Sequence, residues 1–370
     1  MATVTERGNA TSPATLGSIV VTPVDPAWLQ CHASTFAYSG SGDVLVAYFA
    51  GTAEGAPDNA IRMVRLSRTG NGWTPSTEET MSSADDAHWN PVLAPSPSGD
   101  LALFYKRGRP ISRWHTCIRR STDGGATWSK ERELVAGNVG GRGPVKNPPL
   151  ITRAGTWVAG ASIEAADKDG VTARWDCFAD VSIDAGKTWE ASGFIPIEHD
   201  AIEGPGIIQP TVWEAADHLT FLMRSSTGRA WRSESYDQGR NWAPAEPTTL
   251  PNNNSGLCAV RFAGGRVVAI HNTSSIPWGP RNELVASVSD DDGRTWRQVL
   301  MIDHLPKAKS MISPDDGGVR TDGAGELSYP TVRLAPEAGS TLVVSYTRGR
   351  RQIVVATIDL ADSSAGKDWP

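Results

Sequence analysis

The chain has 370 residues, among them 37 Gly, 25 Pro and 14 Trp, with no long amphipathic helical period, a composition that fits an all-β enzyme or binding module. A formal net charge of −6 without a basic stripe argues against a nucleic-acid partner, whose phosphates ask for a basic face. No apolar stretch reaches the ~18 residues of a membrane span, and the opening MATVTERGNATSPATLGSIV carries Glu6 and lacks a signal-peptide core, so the expectation is a cytoplasmic protein with no membrane partner.

In chain order, residues 1–16 read as a flexible leader and 17–24 (GSIVVTPV) as an orphan strand. Three-strand sets follow at 32–39, 43–50 and 61–67; at 90–96, 101–107 and 115–121; at 147–153, 156–164 and 176–182; at 209–214, 219–225 and 230–235; and at 257–263, 266–272 and 284–289. A last set at 328–334, 341–347 and 353–360 precedes a tail at 363–370.

Four of these sets run into one eight-residue pattern, Ser-x-Asp-x-Gly-x-Thr-Trp: STDGGATW from Ser121, SIDAGKTW from Ser182, SYDQGRNW from Ser235 and SDDDGRTW from Ser289, with a worn copy, SRTGNGW, from Ser67. The aspartates are 61, 53 and 54 residues apart (Asp123, Asp184, Asp237, Asp291), about the length of a four-stranded propeller blade. The pattern is self-sufficient as a turn. The Asp accepts from the backbone amides that follow it, the Gly supplies a positive φ, and the Trp is expected to pack between sheets.

The last set has no box and lacks a fourth strand. The strand at 17–24 can supply it, which predicts one domain, 17–362, folded as a six-bladed β-propeller closed by an N-terminal strand that completes the last blade.

The innermost strand of each blade begins near the axis, and those starts read His32, Asn90, Asn147, Gln209, Asn254 with Ser255, and Tyr329, all polar, with Trp89, Lys146 and Glu326 beside them. Such a ring suits a polyhydroxylated ligand that satisfies its hydrogen bonds. Cys31, Cys117, Cys177 and Cys258 fall at no metal-ligand spacing and read as free thiols, and the histidines form no ligand set, so neither metal nor cofactor is expected.

The boxes, their spacing and the motifs GTAEG, WNPVL, KNPP, QPTVW, NNNSG and SYPTV resemble the sialidase (neuraminidase) superfamily with its Asp-box repeats, over roughly residues 17–360. Members hold the substrate carboxylate with three arginines and attack with a tyrosine activated by a glutamate, while an aspartate handles the proton. The resemblance places Arg224 and Arg281 among the arginines and Tyr329 as the nucleophile. It departs at the first-blade Arg-Ile-Pro, here Cys31, His32 and Ala33, and at the fourth-blade glutamate, here Gln209. Glu54 and Asp58 are the nearest candidates for the acid, and Glu54, Glu164 and Glu326 form a carboxylate set. Of Arg348, Arg350 and Arg351, one, Arg350, is assigned to the pocket.

The expected activity is a sialidase-like exo-glycosidase removing a terminal acidic sugar from an oligosaccharide or glycoconjugate. His32, Tyr329, Glu54 and Glu326 are its catalytic candidates, and Asn90, Lys146, Asn147, Gln209, Arg224, Asn254, Ser255, Arg281 and Arg350 its substrate-binding ones. Two alternatives stand beside it: a His32-dependent glycosidase or lyase acting on rhamnose-uronate linkages, and a sugar-binding propeller without catalysis.

Overall fold

A computed structural model of the protein describes residues 15–21, 30–69, 72–166, 173–307, 323–336 and 338–359. Residues 1–14 of the leader, residues 22–24 of the orphan strand and the tail at 363–370 lie outside them.

Six antiparallel sheets, five of four strands and one of five, are arranged as the blades of a propeller. The first blade runs outward from Gln30–Tyr38 through Val44–Gly51 to Ala60–Thr69, which pairs with both Gly72–Pro75 and Glu79–Ser82. The second holds His88–Pro95, Leu101–Arg107, His115–Ser121 and Arg132–Glu133, and the third Leu150–Ile151, Trp157–Ala166, Ala173–Ser182 and Glu190–Ala191. The fourth is built from Ile207–Glu214, Leu219–Ser225, Arg229–Ser235 and Glu246–Pro251, and the fifth from Cys258–Arg261, Val267–Asn272, Glu283–Ser289 and Arg297–His304. In the sixth, Leu327–Ala335, Ala338–Arg348 and Gln352–Asp359 are completed by Thr15–Val21, paired from Thr15↔Asp359 to Val21↔Ile353. The closing strand therefore sits where the sequence places it, and it covers an edge that would otherwise be open.

The four boxes join third to fourth strands with one Ser and Asp bonding pattern, and in three of them, all but that of Trp128, the indole N–H also donates to the box glycine carbonyl. In the third blade, Gly186 N and Thr188 N donate to Ser182 Oγ (2.9 Å) and Asp184 Oδ1 (2.9 Å), Thr188 Oγ1 donates to Asp184 Oδ2 (2.6 Å), and Trp189 Nε1 donates to Gly186 O (3.0 Å). Each Trp faces the preceding blade: Trp189 lies edge-on to Phe104 of the second blade, and Trp242 joins a cluster with Val158 and Val181 of the third. Apolar clusters of this kind fill the blade interfaces, which makes the ring a set of interlocked cores rather than one central core.

A polar clamp ties the fourth and fifth blades at their periphery. Asp292 of the fifth blade's box accepts from Trp213 Nε1 (2.7 Å), Thr220 Oγ1 (2.7 Å) and His218 Nε2 (2.9 Å), while Glu234 pairs with Arg232 (2.5 Å) and Arg294 (2.6 Å). Partial burial opposes charge on His218, but hydrogen bonds to Asp217 and Asp292 raise its pKa overall. A raised folded pKa means that the clamp is whole below the unfolded histidine value of about 6.5 and weakens as pH climbs through the higher folded value. Thermal unfolding followed between roughly pH 6 and pH 8 should show a midpoint that declines more steeply for the parent than for His218→Gln; parallel profiles would remove His218 from the account.

Candidate active site

Four inner strands begin with the same backbone device. The pairing register slips between His32 and Thr35, Trp89 and Val92, Ile208 and Thr211, and Ser328 and Thr331. Within the slips, Ala33, Asn90, Gln209 and Tyr329 take φ of 55°, 42°, 55° and 52°, and Asn254, just before the fifth inner strand, takes 63°. A bulge with a left-handed residue swings its side chain off the pleat, at a cost of order 1–3 kcal/mol that surrounding contacts must offset. Proline follows three of these residues, as Pro91, Pro210 and Pro330, and having no N–H it leaves no donor unpaired in the bulge.

Tyr329, Gln209 and Asn254 meet on one guanidinium. Arg224, the next-to-last residue of Leu219–Ser225, donates to Asn254 Oδ1 (2.8 Å), Gln209 Oε1 (3.1 Å) and the Tyr329 phenol oxygen (2.8 Å), which also receives Gln209 Nε2 at 3.3 Å. Its plane lies 5.8 Å from the Trp175 ring and 5.9 Å from that of Tyr329. Among the described residues Arg224 forms no ion pair.

Two further arginines share one carboxylate beside it. Glu326 binds Arg281 (3.3 Å) and Arg350 (2.9 Å) and accepts from Ser328 Oγ (2.6 Å), while Arg350 also binds Glu54 (2.5 Å). Burial disfavours the Glu326 charge, yet Arg350 and Arg281 hold its pKa well below the usual carboxylate range. Arg350 is 1% exposed despite sitting on a hairpin tip. Gly349 and Arg350 have φ of 63° and 55°, and Arg350 O accepts from Cys31 N (2.8 Å), so the tip folds inward against the first blade. Its neighbours behave differently: Arg348 pairs with Asp303 (3.0 Å), and Arg351 is exposed.

Other sequence-chosen residues take supporting positions. His32 lies one place before the bulge residue Ala33, is fully buried, and packs its ring 4.3 Å from that of Tyr329. Its Nδ1 is hydrogen-bonded with Thr347 Oγ1 (3.1 Å), which also accepts from Ala33 N (3.2 Å), and its Nε2 has no partner. Burial, reinforced by Arg350, holds the His32 pKa well below its ordinary value and keeps the ring neutral. Lys146 gives its ammonium to Asn147 Oδ1 (2.9 Å), Leu257 O (3.1 Å) and Pro330 O, and Asn147 Nδ2 donates to Gln209 O and Pro210 O (both 3.1 Å). Both therefore bind blades together at the axis. Asp58 closes its own loop on Thr52 N and Oγ1, and His88 bonds Ser82 Oγ (3.0 Å) and Asn59 O (2.8 Å). Asn90 is buried, and the buried Asn254 Nδ2, Ser255 Oγ and Arg281 Nε have no protein partner. No periodicity or motif in the sequence marks Trp175, or Trp278, whose ring lies 6.3 Å from it.

Residues 42–342 match the model of a family described as the BNR repeat-like domain. No curated protein matches the sequence. Among solved structures, the chain is similar to a protein of unknown function from Dyadobacter fermentans (16% identity, TM-score 0.68, 93% of this chain and 98% of that one). It is similar as well to the Trypanosoma rangeli sialidase in complex with the inhibitor DANA (15%, TM-score 0.62, 96% of this chain and 59% of that one). A third is the Penicillium chrysogenum α-L-arabinanase complexed with arabinobiose (15%, TM-score 0.63, 92% and 98%). The chain thus spans about three fifths of the trypanosomal enzyme.

The three acceptors around Lys146 set a test of its supporting position. Replacing it by methionine keeps the stem but leaves buried carbonyls without a donor, so Lys146→Met should lower the unfolding free energy in urea by about 2–4 kcal/mol. An unchanged denaturation midpoint would show that the ammonium is not needed to hold the blades.

Proposed function

Because the chain belongs to the family of BNR repeat-like domains and has a sialidase-like propeller with three buried arginines gathered near its axis, we propose that it is a glycoside hydrolase that cleaves a terminal acidic sugar from a glycan. The observation that carries this reading is the convergence of Arg224, Arg281 and Arg350 beside the Tyr329 phenol, with Arg224 bonded to that oxygen at 2.8 Å. Guanidinium forks bind a sugar carboxylate in bidentate fashion. A neutral phenol can then approach the anomeric carbon without the repulsion that a carboxylate nucleophile would meet. The sialidase found among the structural neighbours supports the acidic-sugar reading, and the arabinanase supports glycosidic cleavage more broadly.

In this scheme Glu326 positions two arginines and Tyr329 attacks. Gln209 orients the phenol and cannot act as a base. The histidine-dependent alternative has less support: His32 is sealed behind Tyr329, and its free Nε2 has no measurable exposure, so any influence on the reaction would pass through the tyrosine ring. Elimination would require a base with access to the substrate. A purely sugar-binding propeller would use the same arginines.

The test is a panel of sialosides and rhamnose-uronate oligosaccharides, followed by released monosaccharide and by ultraviolet absorbance. Release of a free acidic sugar is expected, reduced about 10³-fold or more in Tyr329→Phe and about 10²-fold in kcat/KM in Arg224→Met. Tight binding with no cleavage by the parent protein would leave the binding-module reading. Absorbing products lost in His32→Ala would favour elimination.

A further inference from the structure

We propose that Glu164, from the middle strand of the third blade, donates the proton to the departing glycosidic oxygen; this deepens the hydrolase reading above and rests on it. Its position follows from register. Ser162, two residues earlier in Trp157–Ala166, accepts from Gln209 N at 3.2 Å, so this face of the strand looks toward the start of the fourth blade's inner strand. Side chains two apart share a face, which sets Glu164 on the same side and about 7 Å further toward the mouth. Its cross-strand partner is Trp175, the indole that lies against Arg224. Glu164 thus stands over the guanidinium that holds Tyr329.

Glu54, Glu326 and Glu164 are not equivalent. Glu54 is ion-paired with Arg350, and Glu326 with Arg350 and Arg281. The Glu164 carboxyl has neither an ion pair nor a hydrogen bond among the described residues. It is half-buried. That burial raises its pKa, with Arg224 opposing and the charge of Glu54 adding to the rise. A general acid must hold a proton at working pH, and paired environments that push carboxyl groups apart assign the roles.

In the glycosylation step the bond between anomeric carbon and glycosidic oxygen breaks with its electron pair on the oxygen, which takes the Glu164 proton and leaves as an alcohol. The Tyr329 oxygen bonds to the anomeric carbon, and its own proton passes to solvent water through the mouth. Water then attacks the anomeric carbon and gives one proton to the Glu164 carboxylate. The phenol oxygen departs with the electron pair of its bond and regains a proton from solvent. One water is consumed overall and both side chains return to their starting forms.

A leaving group that needs no protonation separates this role from a structural one. Glu164→Gln and Glu54→Gln would each be assayed on aryl and methyl glycosides of the same acidic sugar, with sialosides and uronides as the probes. For Glu164→Gln the expected result is a loss of 10²-fold or more on the methyl glycoside and under about 10-fold on the aryl one. Because the readout is a ratio within one preparation, partial unfolding cancels, and Glu164→Asp should recover much of the methyl-glycoside activity. Equal losses on both substrates, or no loss on either, would overturn the proposal, as would the split appearing in Glu54→Gln instead. A parent protein that cleaves none of these glycosides would overturn the hydrolase reading and this inference with it, whereas an active parent with uniform Glu164→Gln losses would overturn the inference alone.

Discussion

Ring closure is the constraint on which the site depends. The ladder from Thr15↔Asp359 to Val21↔Ile353 fastens the start of the chain to its last blade. That brings the sixth blade against the first, where Cys31 N donates to Arg350 O and Ala33 N to Thr347 Oγ1. Only in this closed arrangement does Arg350 reach Glu54, and only then does His32 lie behind Tyr329. Residues more than 290 positions apart are joined by a strand that contains none of them. The entropy of closing such a long loop is offset by the apolar cluster that the first and sixth blades share around Phe36, Tyr48, Val343 and Ile353.

Much of this architecture is legible in the sequence because it is local. The boxes describe their own hydrogen bonds, their spacing measures the blade, and a polar residue followed by proline marks an inner-strand bulge at Asn90, Gln209 and Tyr329. Where the proline is missing, the frame slips: the first-blade position belongs to Ala33, and His32, one residue earlier, turns behind the tyrosine instead of into the ring. Lys146 and Asn147 look like pocket residues on a list of inner-strand starts. Their acceptors lie in other blades, so their supporting position is invisible in the linear chain. The Trp175 and Arg224 stack is likewise a contact between blades, without a local signature. The position of Arg350 after a strand marks it in the sequence, but its inward turn depends on Gly349 and on the neighbouring blade.

The charges inside the pocket follow from desolvation. Burying three guanidinium groups together is unfavourable unless counter-charges are built in, and Glu326 and Glu54 supply them for Arg281 and Arg350. Burial lowers the Arg281 pKa, Glu326 works against that, and the charges of Arg224 and Arg350 add to the lowering. Arg224 is different. Its hydrogen bonds go to an amide, an amide and a phenol, all neutral, so it retains an unbalanced charge at the centre of the pocket. An anionic ligand group would be drawn to Arg224 first, with the other two arginines already ordered to receive it.

Gln209 is consistent with that distribution. Arginine can only donate, so the contact at 3.1 Å fixes the amide oxygen of Gln209 toward Arg224 and leaves its nitrogen facing Tyr329. The phenol oxygen consequently receives two donors, and its own hydrogen is free to point at a ligand. A glutamate at 209 would accept from both neighbours, neutralise Arg224 and add a further carboxylate near Glu326. With glutamine the tyrosine is held by donors rather than by a base, and the full charge of Arg224 stays available for the substrate. The cost is that no adjacent carboxylate removes the phenolic proton. In the proposed hydrolysis, turnover therefore relies on charge stabilisation at the phenol oxygen more than on proton abstraction from it.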